Sequence, residues 1–176
     1  MTAPAIQRGN RMEIFGIAGY KNAGKTTLVV DVVRELTGRG LRVATVKHAH
    51  HEFDIDHPGK DSYQHRAAGA CEVIVASSRR WAHIVELADQ PEPSLGELLE
   101  QVGDVDLVLV EGFKHDDHPK LEIRRTDSDA PLIAAEHDSV RAIVSDGEVP
   151  EAPVPVIERG DVGSIADFIL GQVGLA

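Results

Sequence analysis

Residues 19 to 26 read Gly-Tyr-Lys-Asn-Ala-Gly-Lys-Thr and match in full the phosphate-binding loop pattern G-x-x-x-x-G-K-[ST]. The apolar segment 13–18 before it resembles a buried strand, and segment 28–36 after it has helical apolar spacing. Strand, loop and helix together wrap backbone N–H groups and a helix N-terminus around an anion. The sequence therefore predicts a nucleotide phosphate site, and a chance match to an ordinary turn is the weaker interpretation.

Each residue type in this loop suits one part of phosphate binding. The two glycines permit a tight turn and a close backbone approach. Lys25 is predicted to reach the β- and γ-phosphates and to act in catalysis, Thr26 to place its hydroxyl on Mg²⁺, and Thr27 to contact the α-phosphate. The predicted nucleotide-binding residues of the loop are Gly19, Asn22, Ala23, Gly24, Lys25, Thr26 and Thr27.

Composition limits the classes of function that remain open. A chain of 176 residues with 42% apolar content suits one domain, predicted over residues 13–176. The formal charge of −11 argues against nucleic acid and against an anionic membrane surface as partners. Cys71 is the single cysteine, so an internal disulfide cannot form. Residues 1–12 have no apolar signal-peptide core and are predicted to be a disordered tail, and the protein is expected to be cytoplasmic.

Apolar periodicity predicts strands alternating with helices along the chain. This alternation is typical of an α/β, P-loop NTPase-like fold with a mostly parallel central sheet flanked by helices. The predicted strands are 13–18, 41–46, 72–77, 80–87 (an edge strand), 106–112, 120–125, 141–145 and 153–157. The predicted helices are 25–37, 61–70, a helix opened by a capping box at Ser94 and Glu97, and 164–173.

The apolar strand at 106–112 ends in Glu111 and Gly112. A carboxylate at the end of a buried parallel strand lies at the edge of the sheet where the phosphate loop also lies. Glu111 is therefore predicted to hold Mg²⁺, and Gly112 to present its N–H near the γ-phosphate. The alternative is a solvated strand-end acid.

Segment 47–61 combines four of the nine histidines with three aspartates. It follows the second strand and is interpreted as a switch loop in which Asp54 or Asp56 orients an attacking water; Asp56 is the assigned catalytic residue. A transition-metal site at His48, His50 and Asp54, or a merely solvated loop, remains open.

Base selectivity has only a weak signal. Asp146 follows the predicted strand 141–145, where guanine-binding proteins place an aspartate that accepts from the base. It is assigned to nucleotide binding, but Asp146-Gly147 is equally a common turn. The Asn-Lys-x-Asp pattern that usually marks guanine recognition is absent from the sequence.

Three stretches together resemble the molybdopterin-guanine dinucleotide biosynthesis protein B (MobB) family. They are the loop 19–27, the segment 46–62 that includes His57-Pro58-Gly59-Lys60-Asp61-Ser62, and Leu109-Val110-Glu111-Gly112-Phe113-Lys114. The resemblance covers roughly residues 13 to 146. It implies a GTP-binding adaptor with weak hydrolysis, typically a homodimer, with GTP and Mg²⁺ as cofactors. Its implied partners are the molybdenum cofactor guanylyltransferase, which joins GMP to molybdopterin, and molybdopterin itself.

Two other functions share the phosphate loop. A GTP-dependent metal-insertion (nickel-type) chaperone is favoured by the histidine segment but lacks a cysteine-rich motif. A small-molecule kinase would need an arginine-bearing lid, and neither Arg79-Arg80 nor Arg124-Arg125 lies in an obvious lid helix.

Overall fold

The computed structural model describes residues 12–49 and 53–176. Its elements are β1 (Glu13–Ala18), α1 (Lys25–Gly38), β2 (Val43–Lys47), α2 (Asp61–Ala67), β3 (Glu72–Ala76), β4 (Trp81–Val85), α3 (Leu95–Leu99), β5 (Leu107–Glu111), β6 (Lys120–Arg124), β7 (Val140–Ser145), β8 (Val156–Glu158) and α4 (Val162–Val173). The chain forms two compact units, one of them Ala49–Glu97 and the other the remainder. The single domain over 13–176 stays a prediction. Apart from Met12, the predicted tail lies outside the described residues.

The larger unit is built on a six-stranded sheet in the order β2-β5-β1-β6-β7-β8. Every neighbouring pair in it runs parallel. The predicted α/β fold with a mostly parallel sheet flanked by helices is confirmed. After β1, the chain places β2 and β5 on one side of β1. It then crosses and places β6, β7 and β8 on the other side. Ligands of such sheets bind outside the carboxyl ends of the strands near this change of direction.

The main core lies between this sheet and the helices α1 and α4. Phe15 and Ile17 of β1 are fully buried, and they cluster with Val32 and Leu36 of α1 and with Ile169 of α4. Side chains alternate along a strand, so residues two apart face the same helices. Full burial of one such side chain contributes about 1.5–3 kcal/mol. This packing fixes the start of α1 against the end of β1.

Strand β5 is buried at all five positions because it lies between β2 and β1. In the parallel register, Glu111 pairs with Lys47 of β2 on one side and with Ile17 of β1 on the other. The carboxyl ends of three neighbouring strands therefore meet at one edge, as the apolar run ending in an acid predicts.

In the smaller unit, β3 and β4 form their own two-stranded antiparallel sheet. The predicted edge strand at 80–87 is present as β4, at the edge of this small sheet. Only the turn 77–80 joins the two strands, closed by a bond from the Ser77 N–H to the Arg80 carbonyl. A parallel connection needs a crossover of a dozen or more residues. A turn as short as this one therefore permits only an antiparallel pair.

The predicted capping box is present at the start of α3. The Ser94 N–H donates to Glu97 Oε2 at 2.8 Å, and the Glu97 N–H donates to Ser94 Oγ at 3.3 Å. In the part of the chain that the structure describes, no helix is long and apolar enough to cross a membrane.

Candidate functional site

The phosphate-loop motif joins the end of β1 to the start of α1, as the sequence predicts. Gly24 is the N-cap of α1 and has a φ of +96°, a left-handed conformation that favours glycine. Asn22 also has a positive φ of 63°. The loop therefore turns sharply before the helix, which leaves the first N–H groups of α1 at the open edge of the sheet.

The Lys25 side chain folds back over this loop. Its ammonium donates to the carbonyl oxygens of Gly19 at 2.8 Å and Tyr20 at 2.9 Å. Partial burial lowers the pKa of Lys25, the nearby carboxylate of Glu111 raises it, and the ammonium of Lys47 lowers it further. An ammonium has three N–H donors, and the two loop carbonyls engage two of them.

Thr26, Glu111 and Lys47 form a compact triangle of polar atoms. Thr26 Oγ1 donates to Glu111 Oε1 at 3.0 Å, and the Lys47 ammonium lies 3.2 Å from Thr26 Oγ1 and 3.1 Å from the same carboxylate oxygen. The Glu111 side chain is only 9% exposed. The predicted metal ligands, Thr26 and Glu111, are therefore in direct contact. We call Lys25, Thr26, Lys47 and Glu111 the loop site.

The two oxygens of Thr26 and Glu111 suit Mg²⁺. Adjacent ligands of an octahedral Mg²⁺ at 2.0–2.1 Å lie roughly 3 Å from one another, which is the separation of this pair. A cavity of about 470 Å³ adjoins them, between α1 and the ends of β2 and β5. Hard oxygen donors beside an open cavity are what a nucleotide-bound Mg²⁺ requires, since this ion keeps several waters and phosphate ligands.

Gly112 directly follows Glu111 and is packed closely. Its φ is +100°, and a Cβ there would lie 2.9 Å from the Cβ of His48. Its N–H donates to the Ile17 carbonyl at 3.2 Å. The structure thus places Gly112 at the same edge as the loop site, with its N–H bound to β1. Its contact with the γ-phosphate stays a prediction.

Asp146 lies just after β7, as the sequence predicts. Its Oδ1 accepts from both the N–H and the hydroxyl of Thr126, which lowers its pKa. It also lines a cavity of about 550 Å³ together with residues 147–150, Val156 and Glu158. The cavity provides room for a ring-sized group beside this carboxylate, and guanine binding stays a prediction.

Asp56 lies in the smaller unit, where Arg66 holds it. Its Oδ1 accepts from the hydroxyl of Ser62 at 3.0 Å, and its Oδ2 lies 3.6 Å from Nε of Arg66. Arg66 also pairs with Asp54 at 2.9 Å and Glu86 at 2.6 Å. Within this unit Asp56 belongs to an ion-pair network, and its role in orienting water stays a prediction.

The histidine segment is only partly described. His50 and His51 lie outside the described residues, and the His48 N–H donates to the Glu111 carbonyl at 2.9 Å. Among residues 12–49 and 53–176, no group of three His, Cys, Asp or Glu side chains could hold a metal ion. The metal-insertion alternative therefore has no geometric support in this part of the chain.

Arg159 is a site residue that sequence reasoning missed. It follows β8, its N–H donates to the Ser145 carbonyl, and its guanidinium lies against Gly24 and 3.5 Å from the Ala23 carbonyl. Its position after a parallel strand could have indicated it, because all such ends meet at one edge. A guanidinium there adds positive charge beside the phosphate loop.

Sequence reasoning also missed the buried polar cluster, which we define as His118, Lys120, Glu122 and Ser139. Lys120 is fully buried, and its ammonium donates to the Ser139 hydroxyl at 2.8 Å and to the carbonyls of His118 and Asp116. Glu122 is 1% exposed and accepts from the Ala134 N–H at 2.8 Å, and burial raises its pKa. Alternating polar residues in a strand as short as β6 look like an exposed face, so the sequence carries no signal for this burial.

The chain is an α/β protein whose parallel sheet carries a phosphate-loop sequence between a central strand and a helix, with an acid at the end of the neighbouring strand β5. Within that class, the family model described as molybdopterin guanine dinucleotide synthesis protein B matches residues 14–146. The chain belongs to this MobB family, which confirms the resemblance seen in the sequence.

Individual relatives agree with this assignment. The chain is 39% identical to the molybdopterin-guanine dinucleotide biosynthesis adapter protein of Escherichia coli (strain K12), over 89% of this chain and 91% of the relative. It is 37% identical to the protein of the same name from Haemophilus influenzae, over 96% of this chain and 94% of that protein. The crystal structure of Bacillus subtilis MobB superposes with a TM-score of 0.71 at 25% identity, covering 92% of this chain and 98% of the other.

Proposed function

We propose that this chain is a GTP-binding adapter with weak GTPase activity that assists the attachment of GMP to molybdopterin. The observation that carries the proposal is the direct contact between Thr26 and Glu111 beside Lys25. This arrangement offers Mg²⁺ two oxygens and offers phosphate an ammonium at one edge of the sheet. The role in molybdopterin guanine dinucleotide synthesis is supported by the family and by the names of the relatives.

In this proposal Lys25, Thr26 and Glu111 of the loop site bind the triphosphate and its metal ion. Lys25 leaves its carbonyl partners to pair with the β- and γ-phosphates, while Thr26 and Glu111 hold Mg²⁺. A bound Mg²⁺ would supply positive charge that offsets the charge of the triphosphate. Asp146 accepts from the guanine base. Asp56 orients the attacking water, and its engagement with Arg66 is consistent with slow hydrolysis.

We also propose that the chain works as a homodimer in the cytoplasm, with the molybdenum cofactor guanylyltransferase and molybdopterin as partners. The adapter names of the relatives support a role in bringing components of this synthesis together. GTP binding would favour one state of the surface that the transferase meets.

The test is guanine dinucleotide cofactor formation by purified guanylyltransferase at limiting GTP, with and without this protein and Mg²⁺. We expect the protein to raise product formation and Lys25→Ala to give no rise. Lys21→Ala is the matched control, because Lys21 is an exposed lysine of the same loop. Product formation that is unchanged by the folded, GTP-bound protein would contradict the adapter role. A full rise with Lys25→Ala would contradict the site assignment.

A further inference from the structure

Lys47 contacts the same two oxygens that are proposed to hold Mg²⁺. Its ammonium is 3.1 Å from Glu111 Oε1 and 3.2 Å from Thr26 Oγ1, while those oxygens are 3.0 Å apart. A single cation thus bridges the donor pair. We propose that the Lys47 ammonium is an internal counter-cation of this pair, which occupies it in the metal-free protein and is displaced when a divalent cation binds. The inference rests on the proposed Mg²⁺-nucleotide site.

Charge balance explains why a cation belongs there. The Glu111 side chain is 9% exposed, and a carboxylate removed from water is costly unless it is paired. Lys25, which also interacts with this carboxylate, is held by two loop carbonyls. Lys47 supplies the direct ion pair. Two ammonium groups against one carboxylate leave a net positive charge, which suits an incoming polyphosphate.

The position of Lys47 also allows the exchange. Its side chain is 54% exposed, although its partner is nearly buried, so the ammonium can leave for solvent or phosphate. Its four-carbon stem is flexible. Its backbone meanwhile stays fixed at the end of β2, where Lys47 pairs in register with Glu111 and the next N–H, of His48, donates to the Glu111 carbonyl. Displacement therefore needs only a side-chain rotation.

An ammonium and a divalent cation cannot share these oxygens. Both need the lone pairs of Thr26 and Glu111, and like charges at this separation repel each other. The proposal therefore makes two predictions. Removing the ammonium should strengthen metal binding by the nucleotide-free protein, and it should make nucleotide binding depend more strongly on metal.

The first measurement is Mn²⁺ binding to the nucleotide-free protein by electron paramagnetic resonance. Lys47→Met removes the charge and keeps most of the stem, and we expect it to bind Mn²⁺ about tenfold more tightly than the parent. Lys47→Arg keeps the cation and should resemble the parent. Arg42→Met is the matched control, because it removes one positive charge just before the other end of the same strand, where Arg42 pairs with Asp104 at 2.7 Å.

The second measurement is GDP affinity by calorimetry, in excess Mg²⁺ and in EDTA. In Lys47→Met the ratio of the two affinities should rise about tenfold over the parent, since no internal cation replaces the metal. Equal Mn²⁺ affinity in the parent and Lys47→Met would overturn the inference whatever the nucleotide result. If Lys47→Met binds Mn²⁺ more tightly but the parent binds no nucleotide, the proposed function is contradicted and the cation exchange is supported.

Discussion

Lys25 at the start of α1 is partly buried and Lys120 at the start of β6 is fully buried, and the surroundings of these two lysines differ. The Lys25 ammonium in the loop site has two backbone carbonyls as acceptors, and the next residue, the exposed Thr26, lines a cavity. The Lys120 ammonium in the buried polar cluster has three acceptors and no exposed surface. Burial lowers the pKa of both. The difference lies in whether every N–H donor is satisfied by the protein.

This comparison separates a lysine prepared for a ligand from a lysine that stabilises the fold. Three acceptors around one ammonium complete its hydrogen bonding, so Lys120 has no further N–H donor for a ligand. The Lys120 bonds tie β6 to the segment before β7 and to the turn after β5. Lys25 retains donor capacity at an open edge. The two lysines should therefore respond in opposite ways to substitution.

The largest effect is expected for Lys25→Ala on nucleotide affinity. It removes the charge that is proposed to pair with the β- and γ-phosphates, and we expect a loss of about 4 kcal/mol or roughly a thousandfold in affinity. Calorimetry with GTP in Mg²⁺ measures it, with Lys21→Ala as control. The melting temperature should change little, because the replaced bonds are those of a partly exposed side chain. Tight GTP binding by Lys25→Ala would place Lys25 with Lys120 as a structural lysine.

Lys120→Ala is expected to show the reverse pattern. It leaves a cavity and removes the donor from two buried carbonyls and a hydroxyl, so the free energy of unfolding should fall by about 3 kcal/mol. Urea unfolding measures this loss, and Lys120→Met, which keeps the stem, should lose less. The nucleotide affinity of the folded variant should equal that of the parent. A selective loss of affinity at unchanged stability would break the comparison.

A smaller effect on GTP affinity should distinguish Glu111 of the loop site from Glu122 of the buried polar cluster. Glu111→Gln removes the charge of the proposed metal ligand and should lower GTP affinity in Mg²⁺ about tenfold while leaving affinity in EDTA nearly unchanged. Glu122→Gln is the control, because Glu122 is also buried but accepts from a backbone N–H in the buried polar cluster. Titrations of GTP affinity against Mg²⁺ concentration distinguish them. An equal Mg²⁺ dependence in both variants would remove Glu111 from the metal site.

The smallest effect concerns the pH dependence of stability. Burial, and next the Lys120 ammonium, lower the pKa of His118 to about 4 from its usual 6.5, although Asp116 and Asp117 act in the other direction. Between pH 4 and pH 6.5, His118 therefore binds more protons in the unfolded chain than in the folded protein. As a result, the free energy of unfolding falls as the pH drops from 6.5 towards 4.

His118→Leu should lose this contribution. We expect the parent to lose on the order of 3 °C more than the variant in melting temperature between pH 7 and pH 5. Differential scanning calorimetry at both pH values measures the difference, and comparing parent with variant cancels the titration of the carboxylates. Parallel pH profiles of the parent and the variant would show that His118 is solvated. The buried polar cluster would then be less enclosed than the full burial of Lys120 indicates.

How far the sequence predicts the molecule depends on the kind of signal. β1, α1 and β5 follow from strong patterns, because buried apolar runs and helical spacing report burial directly. The pairing of β3 with β4 was not predicted as a separate sheet, because period-two alternation shows that a strand exists and does not show its partner. Arg159 and the buried polar cluster were missed for the same reason, since their surroundings come from residues distant in the sequence.

Local sequence patterns predict the phosphate loop, its strand and helix, the acid at the end of β5 and, through those motifs, the family. These features are local, because a loop motif and the apolar pattern around it lie within a few turns of chain. The folded structure was needed to show that Lys47 bridges Thr26 and Glu111, that Arg159 lies against Gly24, and that Lys120 is enclosed. Each of these facts depends on the order and register of parallel strands. Strand order is set by the free energy of packing the whole sheet, and no single segment encodes it.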